Sequence, residues 1–162
     1  MVDFVREIMT PRAVVVPPDA SLVEAAQLMR AQDIGDVLVA SDQQVLGMLT
    51  DRDITLRAVA DGADPLTVSA RAVCTPNPVV VGPHDEVSVA EGLMREHAVR
   101  RLPVVEDGRL VGMVCIGDIA RAREPHSTLA EISRADRHGR RRSGVGPPRD
   151  ATDMAEPPTG GQ

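Results

Sequence analysis

The sequence predicts a mixed α/β (α+β) fold made of two β-α-β-β-α repeats, related by a pseudo-twofold axis, with sheets facing and helices outside. Three observations predict it. Sliding the chain against itself by 65 residues aligns Arg6–Ile54 with Arg71–Ile119 without a gap, and 17 of 49 positions are identical. Both copies alternate short β-branched runs with stretches of helical period. One copy of about 55 residues buries too little surface to stand alone, so two must share a core. Two copies are too few for a solenoid and suit a pseudo-twofold pair.

The elements follow in the same order in each copy. "AVVVPP" and "PVVVGP" are β-branched runs closed by proline, short first strands. "SLVEAAQLMRAQ" and "EVSVAEGLMREH" are helices: Leu22, Ala25, Ala26, Leu28 and Met29 share a face, as do Val87, Ala90, Leu93 and Met94. Ser21-x-x-Glu24 is a capping box. "DVLVAS" and "LPVVED" are second strands, and "DQ" and "DG" are the hairpin turns, "DG" the stronger signal. "QVLGMLT" and "RLVGMVC" are third strands. "DRDITLRAVADG" and "IGDIARARE" are closing helices, the first stopped by Gly62. The expected divisions are a first repeat over 1–62, a linker over 63–70 and a second repeat over 71–125. Residues 126–162 are expected to be a disordered Arg/Pro/Gly-rich tail, with one or two helical turns in "HSTLAEISRAD".

Composition narrows the function. Phe4 is the only aromatic residue, so there is no stacking platform for single-stranded nucleic acid and no aromatic cage for a cation. All eighteen basic residues are arginine, which excludes a Schiff-base or phosphate-loop lysine. Twelve arginines face nineteen acids over residues 1–125, a net charge of −7, unsuited to wrapping nucleic acid. The start "MVDFVREIMTP" lacks the pattern of a signal peptide, and no apolar run approaches membrane-spanning length. A cytoplasmic location without membrane contact is expected. No nucleophile is paired with an oriented base, so no enzyme is expected.

One motif recurs at the junction of third strand and closing helix. Gly47–Ile54 reads "GMLTDRDI", and its echo Gly112–Ile119 reads "GMVCIGDI". Thr50 with Asp53 is a variant of the capping box, and the aspartate sits at the positive end of the helix dipole. In the echo Cys115, a poor cap, replaces the threonine while Asp118 stays. A ligand-binding carboxylate and a dipole partner are both consistent with that.

The pattern "MTP…V…P…L.EAA.LM…I…LV…GMLT.RDI", repeated in register, resembles the CBS domain (the cystathionine-β-synthase-type repeat) from Val5 to about Arg123. The chain is similar to stand-alone bacterial proteins made of one CBS pair, or Bateman module. The resemblance implies two clefts between the repeats that take adenosine-containing ligands, and dimerisation into a flat disc. It implies ribose and phosphate contacts from Gly47, Thr50 and Asp53, and from Gly112, Cys115 and Asp118. It implies a base slot walled by Val14, Val16, Val37 and Val39, and by Val79, Val81, Leu102 and Val104, with Arg101 and Pro103 near a cleft.

Electrostatics then make the clefts unequal. Asp51 and Asp53 disfavour polyphosphate at the first helix start, where only Arg52 is adjacent; Ile116-Gly117 in the second leaves the backbone open, with Arg100 and Arg101 near. The expectation is better ribose anchoring in the first cleft and a kinder phosphate site in the second. The resulting reading is a non-catalytic regulatory module that needs no cofactor. It binds AMP, ADP, ATP or a related adenosine ligand, forms a homodimer through helices, and acts on a separate protein. Two alternatives stand beside it: a ligand-free interaction scaffold, and a metal- or redox-responsive protein using Cys74 and Cys115, with His97 as a third zinc ligand.

Overall fold

The computed structural model describes residues 2–137. Two lobes of strands and helices are built to one plan. The first holds β1 (Val15–Val16), α1 (Leu22–Gln32), β2 (Asp36–Ser41), β3 (Gln44–Thr50) and α2 (Asp51–Ile54), which runs on into a π turn over Thr55–Val59. The second begins with α3 (Ala70–Val73) and β4 (Thr75–Pro76). It continues through α4 (Val87–Glu96), β5 (Arg101–Glu106), β6 (Arg109–Cys115) and α5 (Ile116–Arg123). A last helix, α6 (Thr128–Arg137), follows. The tail expected from residue 126 therefore opens with nearly three helical turns. Ser127 caps them, its Oγ accepting from Ala130 N–H at 3.2 Å, and Ala130 is fully buried. The rest of the expected tail lies outside the described residues.

The hairpins match residue for residue. β2 pairs antiparallel with β3, and β5 with β6, each with a bulge at the same place, Val39/Ala40 and Val104/Val105. Both turns are left-handed, at Asp42–Gln43 and Asp107–Gly108. β1 lies parallel to β2, but the expected first strand of the second copy is reduced to one bridge, Val81 to Val104. Proline explains the loss. In the first copy Leu38 N–H donates to Val14 O at 2.9 Å; the equivalent of Leu38 is Pro103, which has no N–H to give.

The copies are interlaced. β4, from the start of the second copy, adds to β3 of the first, giving the order β1-β2-β3-β4. The equivalent Thr10, from the start of the first copy, bridges Met113 of β6. Ser21 bridges Ser69 as Phe4 bridges Glu86, and Ala70 N–H donates to Ala20 O (2.7 Å) as Val5 N–H donates to Asp85 O (3.0 Å). Each core borrows from the other copy. Ala70, Val73 and Cys74 close the core of Val16, Leu22, Val37 and Leu49, while Val5, Ile8 and Met9 close that of Val81, Val87, Leu102 and Val114.

Crossing arms explain the glycine of each motif. A Cβ on Gly47 would collide with the Cys74 Sγ and lie 2.9 Å from Thr75 O. A Cβ on Gly112 would lie 2.6 Å from Thr10 O and 3.0 Å from Met9 Sδ. Only a residue without a side chain lets the neighbouring arm through.

Candidate functional site

The two motif turns lie on either side of the pseudo-twofold axis. Asp36, first residue of β2, is in register with Thr50, and Arg101, first of β5, with Cys115. Asp36 and Arg101 are equivalent positions in the repeat, and they meet: Arg101 Nε lies 3.1 Å from Asp36 Oδ1. Asp36 is 8% exposed. Burial pushes its carboxyl up, the Arg101 guanidinium holds it down, and nearby Asp51 pushes it up again. The repeat register itself put an acid and a base at one equivalent position, a signal of cross-axis pairing that motif reading passes over.

In the first copy the capping box is closed. Asp53 N–H donates to Thr50 Oγ1 and Thr50 N–H donates to Asp53 Oδ2, both at 3.0 Å. Asp53 Oδ1 faces Arg57 at 3.5 Å, with 14% of the Asp53 side chain exposed. Arg57 also donates to Val73 O (2.9 Å) and Thr75 Oγ1 (3.2 Å), tying the π turn to the crossing arm. Arg52 and Asp51 are exposed.

The second copy solves the same end differently. Cys115 N–H and the Cys115 thiol both donate to Asp118 Oδ2, at 2.8 and 2.9 Å. Asp118 Oδ1 is ion-paired with Arg121. Asp118 is only 3% exposed. A carboxylate that persists beside a poor cap thus has partners inside the protein. Gly117, beside it, is buried because α6 packs there: a Cβ at Gly117 would overlap the Ser133 Oγ and lie 2.9 Å from the Ser133 Cβ. The Ile116-Gly117 backbone, expected to be open, is covered at Gly117.

Val16, Val37 and Val81 are buried in the two cores, and Pro103 is fully buried on β5. Arg101 is half exposed at the axis. None of these lines either of two open cavities. One, of about 440 Å³, lies where the first arm passes the hairpin tips, among Arg12, Val15, Gln43 and Leu110. The other, of about 310 Å³, lies between α4, α5 and α6, among Met94, Val99, Ile119 and Leu129.

Cys74 is buried against Gly47 in the first core, and Cys115 stands at the start of α5. His97 is exposed at the end of α4. No group of three or more His, Cys, Asp or Glu able to hold a metal ion occurs among the described residues. Burial pushes both thiols up, helped at Cys74 by the charge of Asp53 and at Cys115 by Asp118. Protonated thiols are poor nucleophiles. No helix among the described residues is long and apolar enough to cross a membrane.

Comparison with known proteins places this geometry. The CBS domain family model matches residues 5–59 and 70–125. The CBS domain-containing protein YhcV of Bacillus subtilis is 39% identical over 116 residues, 72% of this chain and 82% of that protein. Hypoxic response protein 1 of Mycobacterium tuberculosis is 39% identical over 125 residues, 76% of this chain and 87% of that protein. A crystal structure of Hypoxic Response Protein I with two coordinated zinc ions superposes with a TM-score of 0.68, at 39% identity, over 73% of this chain and 97% of that one. The CBS domain protein PAE2072 from Pyrobaculum aerophilum, complexed with AMP, superposes at 0.66 and 27% identity, over 82% of this chain and 98% of that one. With both copies matched in order and the interlaced pair superposing over nearly the whole of such structures, this chain belongs to the CBS domain family and carries the domain as a tandem pair.

Proposed function

We propose that this protein is a non-catalytic regulatory module that binds an adenosine-containing nucleotide between its two CBS copies and acts on a separate protein. The observation that carries the reading is the Thr50–Asp53 turn, held rigid beside the axis with its carboxylate partly open to solvent. The AMP held by the related PAE2072 pair supports the ligand class. Asp53 is the ribose acceptor and Thr50 positions it; Val16, Val37 and Val81, the base-slot residues that the resemblance implies, are core residues in this conformation and reach a base only if the cleft opens. Arg52 stands at the phosphate side of the first cleft, Arg101 and Pro103 belong near a cleft, and Cys115 and Asp118 are the second cleft's counterparts. Asp51 and Asp53 at the start of α2 favour adenosine and AMP over ATP in the first cleft. The module needs no further cofactor and works as a homodimer through its helices.

Calorimetric titration with adenosine, AMP and ATP tests it. AMP is expected to bind the unmodified chain, and Asp53→Ala to weaken it by about tenfold or more, the loss of hydrogen bonds to a charged acceptor. Absence of binding by all three ligands, with no shift in thermal unfolding, leaves the scaffold reading in its place.

A further inference from the structure

From the packing of α6 on α5, we infer that α6 is a self-docked cover that keeps the second cleft closed. The inference rests on the nucleotide reading of the clefts and adds a regulatory element to it. α6 lies beyond residues 5–59 and 70–125, so it is an addition to the paired domain rather than part of it.

The seat is built at one position. Where the first copy has Arg52, exposed, the second has Gly117, buried. Ser133 of α6 occupies the place where any side chain on Gly117 would go. Arg121, which holds Asp118, brings its guanidinium to 3.7 Å from the same place. Ala130 is buried at the helix contact, and Arg134 donates to Pro125 O and fixes the loop. Among the described residues the first copy has no such cover. The equivalent stretch after it, 63–72, turns to α1, where Leu22 N–H donates to Val68 O at 3.1 Å.

The two motif aspartates differ accordingly: Asp53 is half-buried and Asp118 buried. A ligand that uses Asp118 must first have α6 moved and the Arg121 pair loosened. Its apparent affinity is lowered by the fraction of molecules with α6 undocked. By the same linkage, a ligand in the second cleft releases α6, and α6 becomes the element that reports occupancy.

The test uses the full chain carrying Asp53→Ala, so that the first cleft is weakened and differences between variants report on the second. Gly117→Ala puts a methyl group into the seat; Ser133→Leu overfills it from the other side without touching α5. Adding Ser133→Gly to Gly117→Ala makes room again. Amide hydrogen exchange reads whether α6 is docked, and AMP titration reads the cleft. Both single variants are expected to lose protection over residues 128–137. They are expected to bind AMP about tenfold or more tightly than the Asp53→Ala parent, with the paired change restoring both properties. Release of α6 with unchanged second-cleft binding, while the unmodified chain binds AMP through Asp53, overturns the cover alone. Retained protection of α6 in both single variants overturns it too. Release of α6 with no AMP binding by any variant or by the unmodified chain overturns the nucleotide reading and the cover with it.

Discussion

Thr50 and Cys115 hold equivalent backbone turns with different atoms, and that difference has measurable consequences. Thr50 Oγ1 takes the Asp53 N–H, so Thr50→Ala is expected to cost about 1 kcal/mol and to lower the unfolding temperature by about 3 °C. Cys115 spends its weak donor on Asp118, and Cys115→Ser, which supplies a better N-cap oxygen at similar size, is expected to gain about 0.5–1 kcal/mol in urea unfolding. Asp36 gives a pH signature. Its folded carboxyl titrates above the ordinary value of 3.8, so the unfolded chain ionises first as pH rises. Stability is therefore lost as pH climbs from 3.8 to the raised folded value, and stays lost above it. Unfolding measured against pH is expected to show this fall in the unmodified chain and not in Asp36→Asn. The motif aspartates were legible in the sequence, because capping follows local spacing. What Asp118 does was not. Its carboxylate is held by the Cys115 thiol and Arg121, and the glycine beside it is packed by a helix beyond the repeat, which no pattern within the motif encodes.

At the level of elements, the hairpins were legible to the turn residue. "DG" supplies a glycine at Gly108, φ +76°, whereas "DQ" places Gln43 at φ 65°, a conformation that strains a residue with a side chain. Gln43→Gly is expected to stabilise by about 0.5–1 kcal/mol, the relief of that strain less the added freedom of the unfolded chain, measured by thermal unfolding. The first strand of the second copy was over-read. "PVVVGP" has strand composition, but a strand needs a partner with N–H groups, and Pro103 removes the rung that Leu38 supplies in the first copy. The π turn after α2 was also hidden: Ala60 N–H reaches back to Thr55 O, and the Thr55 hydroxyl donates to Asp51 O at 3.0 Å. Helical periodicity over "DRDITLRAVADG" does not distinguish that widening from a regular turn.

For the molecule as a whole, the repeat visible in the sequence is not the unit that folds. Self-matching finds two copies, yet each core is completed by an arm of the other, and local pattern carries no information about which copy an arm will join. Gly47 and Gly112 are the points where this matters most. Gly47→Ala is expected to cost about 1–3 kcal/mol in urea unfolding, because the methyl group collides with the Cys74 arm. Interlacing also predicts a single calorimetric transition, with calorimetric and van't Hoff enthalpies in a ratio near one, rather than two lobes melting in turn.

A position on a twofold axis faces its own equivalent. Two identical copies would set Asp36 against Asp36, or Arg101 against Arg101, and like charges at about 3 Å repel strongly when half-buried. Only unlike copies can bring opposite charges to that point. The Asp36–Arg101 contact therefore works as a mating rule: each half is compatible with the other and incompatible with itself.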